Sequence, residues 1–126
     1  MSRIGRLTVL VADLDAAIDF YTGALGFRVL FDARLPSGFR SVHVGPGAVD
    51  EPGLWLMPAE GDRVGSRTAG APLLVLYSDD LDKDLDRLAE AGVMPHLGPE
   101  GEPGARYAHV RDPWGNEIVL AQTPRG

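Results

Sequence analysis

Cysteine is absent from this chain of 126 residues, which excludes disulfides, thiolate metal sites and a cysteine nucleophile. That absence fits a reducing compartment, and a cytoplasmic protein is the expectation. Bases are scarce relative to acids: 12 Lys and Arg face 18 Asp and Glu, a net charge of -6, so the basic footprint of a nucleic-acid binder is missing. Much of the acid gathers between Asp79 and Glu90, where it reads as the solvated face of a helix rather than a cation site. No apolar run approaches the ~18 residues of a membrane span. Met1 is followed by polar Ser2 and Arg3, so neither a leader nor a membrane partner is expected. The sixteen glycines are scattered at turns, no Gly-x-Gly-x-x-Gly follows a strand, and no nucleophile-elbow sequence occurs. Aromatics are few, so each one in a strand matters to the search for a ligand.

What the chain does contain is a repeat. Asp13-Leu14-Asp15 and Asp80-Leu81-Asp82 each follow an apolar run, Leu7 to Val11 and Leu73 to Tyr77. Each precedes a helix-like segment that stops at a glycine, Gly26 and Gly92. Repetition at this length implies one supersecondary unit used twice, with a site lying between the copies. The length itself bounds one domain, residues 1–126, with a core that needs no staples.

Alternation over Leu7 to Val11 predicts a strand, and Asp13 is a suitable N-cap for a helix over Leu14 to Ala24. Ala17, Phe20, Tyr21 and Ala24 share a face of that helix. Strands are expected over Phe27 to Ala33, Phe39 to Val44 and Leu54 to Met57, with Pro36-Ser37-Gly38 and Gly45-Pro46-Gly47 as turns. Residues 58–72 read as the connection, dividing the chain into a first module of about 1–62 and a second of about 69–126. The second repeats the order: strand Leu73 to Tyr77, helix Leu81 to Ala91, a strand beginning over Val93 to Leu97, and a loop at 98–104. Ala105 to Arg111 then alternates, and Asp112-Pro113-Trp114-Gly115-Asn116 turns the chain into Glu117 to Gln122. Each half is therefore β-α-β-β-β, an α+β architecture in which antiparallel sheet predominates.

Val9-x-Val11-x-Asp13-Leu14, Asp19-Phe20-Tyr21, Leu25-Gly26-Phe27 and Asp112-Pro113-x-Gly115-Asn116 together resemble the vicinal oxygen chelate superfamily. That superfamily includes glyoxalase I, extradiol dioxygenases and bleomycin-resistance proteins. The resemblance covers nearly the whole chain. It implies two βαβββ modules whose curled mixed sheets surround a shared cavity, helices outside, and commonly a homodimer. In metal-using relatives one ligand lies seven residues before the aspartate that ends the first strand. Here that position holds Arg6, and its counterpart before Asp80 is Leu73. The usual glutamate after the turn corresponds to Val119, and the remaining ligand would come from Leu54-Trp55-Leu56-Met57. None of these supplies a His, Glu or Gln, and a register slip to Pro72, Leu74, Ile118 or Leu120 supplies none either. No metal and no cofactor is expected.

Period-two parity, anchored on those positions, turns Arg6, Thr8, Leu10, Leu73, Val75, Tyr77, Glu117, Val119 and Ala121 into the cavity, with Ile118 and Leu120 beneath the helices. Such a cavity is mostly apolar with a few polar anchors. Arg6 and Glu117 either grip and orient a ligand, Glu117 acting as a base, or sit exposed at strand ends, or pair with each other. Trp55 and Tyr77 stack on a planar ligand or serve as core. Trp114 is a lid, a dimer contact or hairpin packing. His43 and His109 are general-base candidates or structural histidines; Tyr107, His109 and Arg111 share one strand face, and His96 receives no role. The leading expectation is a metal-independent protein that binds, sequesters or carries a small aromatic or amphipathic molecule. The alternatives are a superfamily enzyme using side-chain acid/base chemistry, with Arg6, Glu117 and His109 as candidates, and a metal-dependent lyase or dioxygenase.

Overall fold

A computed structural model describes residues 1–122; the end of the second module, 123–126, lies outside the described residues. The chain folds as β1 (Arg6–Val11), α1 (Leu14–Asp19), a π-helical turn (Phe20–Ala24), β2 (Arg28–Arg34), β3 (Arg40–Gly45) and β4 (Gly53–Pro58). After a single 3-10 turn (Gly61–Arg63) come β5 (Pro72–Ser78), α2 (Leu81–Glu90), β6 (Leu97–Glu100), β7 (Tyr107–Arg111) and β8 (Glu117–Gln122). Two four-stranded sheets result, ordered β1-β4-β3-β2 and β5-β8-β7-β6. In both, the first strand of the unit pairs in parallel with the last, and the other pairings are antiparallel.

The repeated Asp-Leu-Asp has a mechanical explanation. Asp13 accepts from the Ala16 amide at 2.9 Å and Asp80 from the Lys83 amide at 3.1 Å, so each aspartate caps a helix whose first amides have no partner of their own. The glycines end those helices in the left-handed region, Gly26 at φ 73° and Gly92 at φ 81°, where a Cβ would be strained. The first helix does not stay α-helical to Ala24 as its sequence predicts. It widens over Phe20–Ala24, and Phe20, Tyr21 and Ala24 are all buried there.

The strand expected to begin at Val93 begins at Leu97 instead. The Val93 amide is held by the Leu88 carbonyl at 2.9 Å, extending the helix-ending turn, and Pro95 has no N–H for a ladder. Pairing starts where the His96 amide meets the His109 carbonyl at 3.0 Å, so part of the expected loop at 98–104 is strand. A turn closing from Ala105 to the Glu102 carbonyl likewise delays β7 to Tyr107.

One core serves both sheets. Val9, Val11, Val42, Val44, Leu54 and Leu56 from the first sheet join Val110, Ile118 and Leu120 from the second, with Ala17, Phe20, Tyr21, Leu81 and Leu88 filling the space between sheets and helices. The faces turned away from this core remain open within one chain. Phe31 keeps 41% of its surface exposed, Val75 56% and Tyr77 72%. Among the described residues no helix is long and apolar enough to cross a membrane.

Candidate functional site

The open face of the first sheet is assembled by register. Thr8 on β1 pairs with Trp55 on β4, and His43 on β3 pairs with the same Trp55, which sets three side chains in one row. The His43 ring lies 5.8 Å from Trp55 and 5.4 Å from Phe31. Arg6, at the start of β1, donates its Nε to His43 Nδ1 at 3.1 Å. Its remaining nitrogens reach the carbonyls of Gly5, Val49 and Glu51 at 2.7–2.9 Å. Arg6 thus ties the loop before β4 to β1, leaving little of its fork for an anion.

Because Nδ1 of His43 accepts from Arg6, the imidazole carries its proton on Nε2, which faces Ser41 Oγ at 3.3 Å. Burial, and then the adjacent Arg6 charge, hold the His43 pKa below its ordinary value; the ring is neutral at neutral pH. The indole Nε1 of Trp55 is buried with no hydrogen-bond acceptor. An unsatisfied buried donor of this kind costs about 1–3 kcal/mol, which an acceptor on a bound molecule would offset.

On the second sheet Val75 pairs with Val119 and Tyr77 with Ala121, and His109 pairs with Val119 from the other side. These side chains share the open face. Leu73 does not: it is 8% exposed and belongs to the buried core, because the β5–β8 register shifts between Pro72 and Leu74 and breaks the parity that would have turned it outward.

Glu117 pairs with two histidines and not with Arg6. His96 Nε2 lies 2.9 Å from one of its oxygens and His109 Nδ1 3.0 Å from the other, while the guanidinium of Arg111 is 4.0 Å away. The His109 hydrogen bond is the largest influence and the His96 bond adds to it; against the opposing effect of burial they hold the Glu117 carboxyl below its ordinary range. The sequence assigns His96 no role because it follows Pro95 near a loop, whereas the structure holds it just before β6. The only available signal was its place opposite the alternating segment that carries His109.

The Asp112–Asn116 turn is structural. Asp112 Oδ1 accepts the amides of Trp114 and Asn116, both at 2.9 Å. Its Oδ2 accepts from Tyr21 Oη at 2.9 Å and Asn116 Nδ2 at 2.8 Å. Asn116 Nδ2 also reaches the Leu10 carbonyl at 3.2 Å, so this turn fastens the second sheet to β1 and to the helical turn of the first unit. Trp114 packs against the buried core from this turn.

The residues at the superfamily's usual ligand positions do not fit an ion. Arg6 has only donors and has spent most of them, Leu73 is in the core, Val119 has no lone pair, and the Trp55 nitrogen is a donor. Residues 3–120 nevertheless match the profile of the Glyoxalase/Bleomycin resistance protein/Dioxygenase superfamily. TnmS3, an antibiotic-binding protein from Streptomyces sp. CB03234, is 36% identical with a TM-score of 0.80; the alignment covers 99% of this chain and 98% of that one. A glyoxalase/bleomycin resistance protein from the same Streptomyces is also 36% identical, with a TM-score of 0.76 and coverage of 95% and 100%. The trypanothione-dependent glyoxalase I of Leishmania major is 27% identical, with a TM-score of 0.77 and coverage of 97% and 87%. With both sheets, the repeated capped helices and the Asp-Pro-x-Gly-Asn turn in place, the chain belongs to the glyoxalase/bleomycin resistance protein/dioxygenase superfamily.

Proposed function

We propose that this protein binds a small aromatic or amphipathic molecule against the open faces of its sheets and sequesters or carries it unchanged. Side chains, rather than an ion at the superfamily's usual positions, hold the ligand. The observation that carries this reading is the first-sheet row of Phe31, His43 and Trp55, with its unsatisfied indole N–H, where the ligand positions themselves offer an ion nothing. Aromatic rings supply stacking surface, and the buried donor supplies a directional anchor. The similarity to an antibiotic-binding protein supports the same choice.

Phe31, Val75 and Tyr77 are too exposed within one chain to enclose a ligand. A homodimer that closes these faces with a second copy completes the cavity in this reading. Planar compounds bearing a hydrogen-bond acceptor are expected to raise the melting temperature and quench tryptophan fluorescence. Trp55→Phe, which keeps an aromatic ring but removes the donor and part of the stacking surface, is expected to weaken binding about 10-fold or more. Equal binding by the variant would remove the indole anchor. A second reading, acid/base catalysis, draws on Glu117 between His96 and His109; it gains if the bound compound is recovered chemically altered and loses if it is recovered intact.

A further inference from the structure

We propose that His96, His109 and Glu117 form a binding site for a borderline divalent transition ion such as zinc, displaced from the superfamily's usual ligand positions. The inference goes beyond the ligand-binding reading and is independent of it. One ligand atom from each of the three residues lies within 4.8 Å of the other two. Two imidazole nitrogens and one carboxylate oxygen make a donor set that suits zinc and leaves a fourth position open.

The three residues come from separate segments whose spacing is fixed by the sheet. His96 is tied by its amide to the His109 carbonyl at 3.0 Å immediately before β6. His109 is held in β7 by pairing with both Leu97 and Val119, and Glu117 opens β8 opposite Arg111. His109 and Glu117 stand on strands and His96 is tied by its amide to β7 just before β6 begins, so the ligands are oriented before an ion arrives.

The distances fit with a small adjustment. Zinc bonds of about 2.0–2.1 Å in tetrahedral array place neighbouring donor atoms roughly 3.3 Å apart, whereas the two histidine–glutamate contacts are 2.9 and 3.0 Å. Opening each by a few tenths of an ångström makes room. In neutral imidazoles the protons now shared with Glu117 move to the other ring nitrogens, Nδ1 of His96 and Nε2 of His109, freeing the lone pairs that face the carboxylate.

The surroundings say what completes the coordination. The three side chains keep 15–25% of their surface, so the fourth position is reachable. Beside them lies a cavity of about 270 Å³ lined by His96, Arg111, Asp112, Val93 and Met94 among others. Arg111, 4.0 Å from Glu117, opposes a bare cation but favours an anionic fourth ligand, so water or a small carboxylate or phenolate oxygen fits there.

The test titrates chelator-treated full-length protein with Co²⁺ and Zn²⁺, with no organic ligand present, following heat and the cobalt d–d spectrum. One ion per chain is expected, with the intense absorption of a four-coordinate cobalt site. His96→Ala, His109→Ala and Glu117→Gln are each expected to lower affinity by about 10-fold or more. Glu117→Gln keeps hydrogen bonds to both histidines, and a thermal melt of each variant separates lost binding from lost fold. Weak, six-coordinate cobalt absorption in the parent protein would overturn the proposal, as would affinity unchanged by all three substitutions. Neither result touches the Trp55 ligand test, which needs no ion.

Discussion

Tyr21→Phe is expected to loosen the junction between the two halves of the chain, with an effect that narrows at high pH. Tyr21 is fully buried, and its hydroxyl donates to Asp112 at 2.9 Å. Hydrogen bonds to charged groups contribute about 1.5–3 kcal/mol. Asp112 keeps its other three donors in the variant, so a loss near the low end, about 1.5–2 kcal/mol, is expected from urea unfolding at pH 7. Asp112→Ala removes all four accepted bonds and strands the Tyr21 hydroxyl in the core, so about 3 kcal/mol or more is expected. In that background Tyr21→Phe is expected to cost close to nothing, because the hydroxyl no longer has a charged partner.

Burial, then the Asp112 charge, then their hydrogen bond push the Tyr21 pKa well above its ordinary value of 10.0. Above pH 10 the unfolded chain therefore releases a proton that the folded chain retains, and stability falls as pH rises. Phenylalanine removes that release, so the gap between parent and variant is expected to narrow steadily above pH 10. A cost undiminished beside Asp112→Ala, or parallel stability curves from pH 9 to 11, would refute the coupling.

Two further substitutions probe other parts of the structure. A Cβ on Gly65 would overlap the Trp114 carbonyl oxygen, whereas one on Gly70 meets open space, and both glycines have positive φ. Gly70→Ala is expected to cost about 1–2 kcal/mol for the backbone alone, and Gly65→Ala distinctly more in chemical denaturation; equal costs would mean that the segment after β4 shifts freely. His43, whose folded pKa lies below its ordinary 6.5, binds protons less readily folded than unfolded. Stability is therefore expected to drop as pH falls below about 6.5; His43→Gln should show a shallower drop between pH 7 and 5, and an unchanged slope would show that other groups set it.

The fold was legible because its determinants are local. Asp13 and Asp80 cap helices, Gly26 and Gly92 end them, and Asp112 accepts the amides of Trp114 and Asn116 within its own turn, so each can be read within a few residues of sequence. Parity turned Thr8 to the open face, whereas His43 and Trp55, singled out only as strand residues, join it through the β1–β4 and β3–β4 register. Leu73 escaped that logic because one irregularity in the β5 pairing exchanged core for face, and no residue type announces such a shift. His96 escaped for a related reason: its position depends on where β6 starts to pair, which the Val93–Leu88 bond and Pro95 decide together. Arg6 was legible as a position but not as a contact, since its partners are the His43 ring and backbone carbonyls of Gly5, Val49 and Glu51.

The Asp112–Asn116 turn, one of the segments through which the chain resembles its superfamily, is a buried fastening. Asp112 and Asn116 are 4% and 2% exposed, and their hydrogen bonds go to the turn itself, to Tyr21 and to β1. Nothing in that set reaches the open faces. Selection for a folded chain alone is therefore sufficient to preserve the turn, whatever the faces do. The side chains one strand over carry no such burden: Val119 can replace a metal ligand, and Glu117 can sit two residues nearer the turn between two histidines, without disturbing the core beneath Ile118 and Leu120. The alternation of β8 separates the two requirements residue by residue, Ile118 and Leu120 facing the shared core while Glu117 and Val119 face the site. A motif written on the first set identifies the architecture, and the chemistry has to be read from the second.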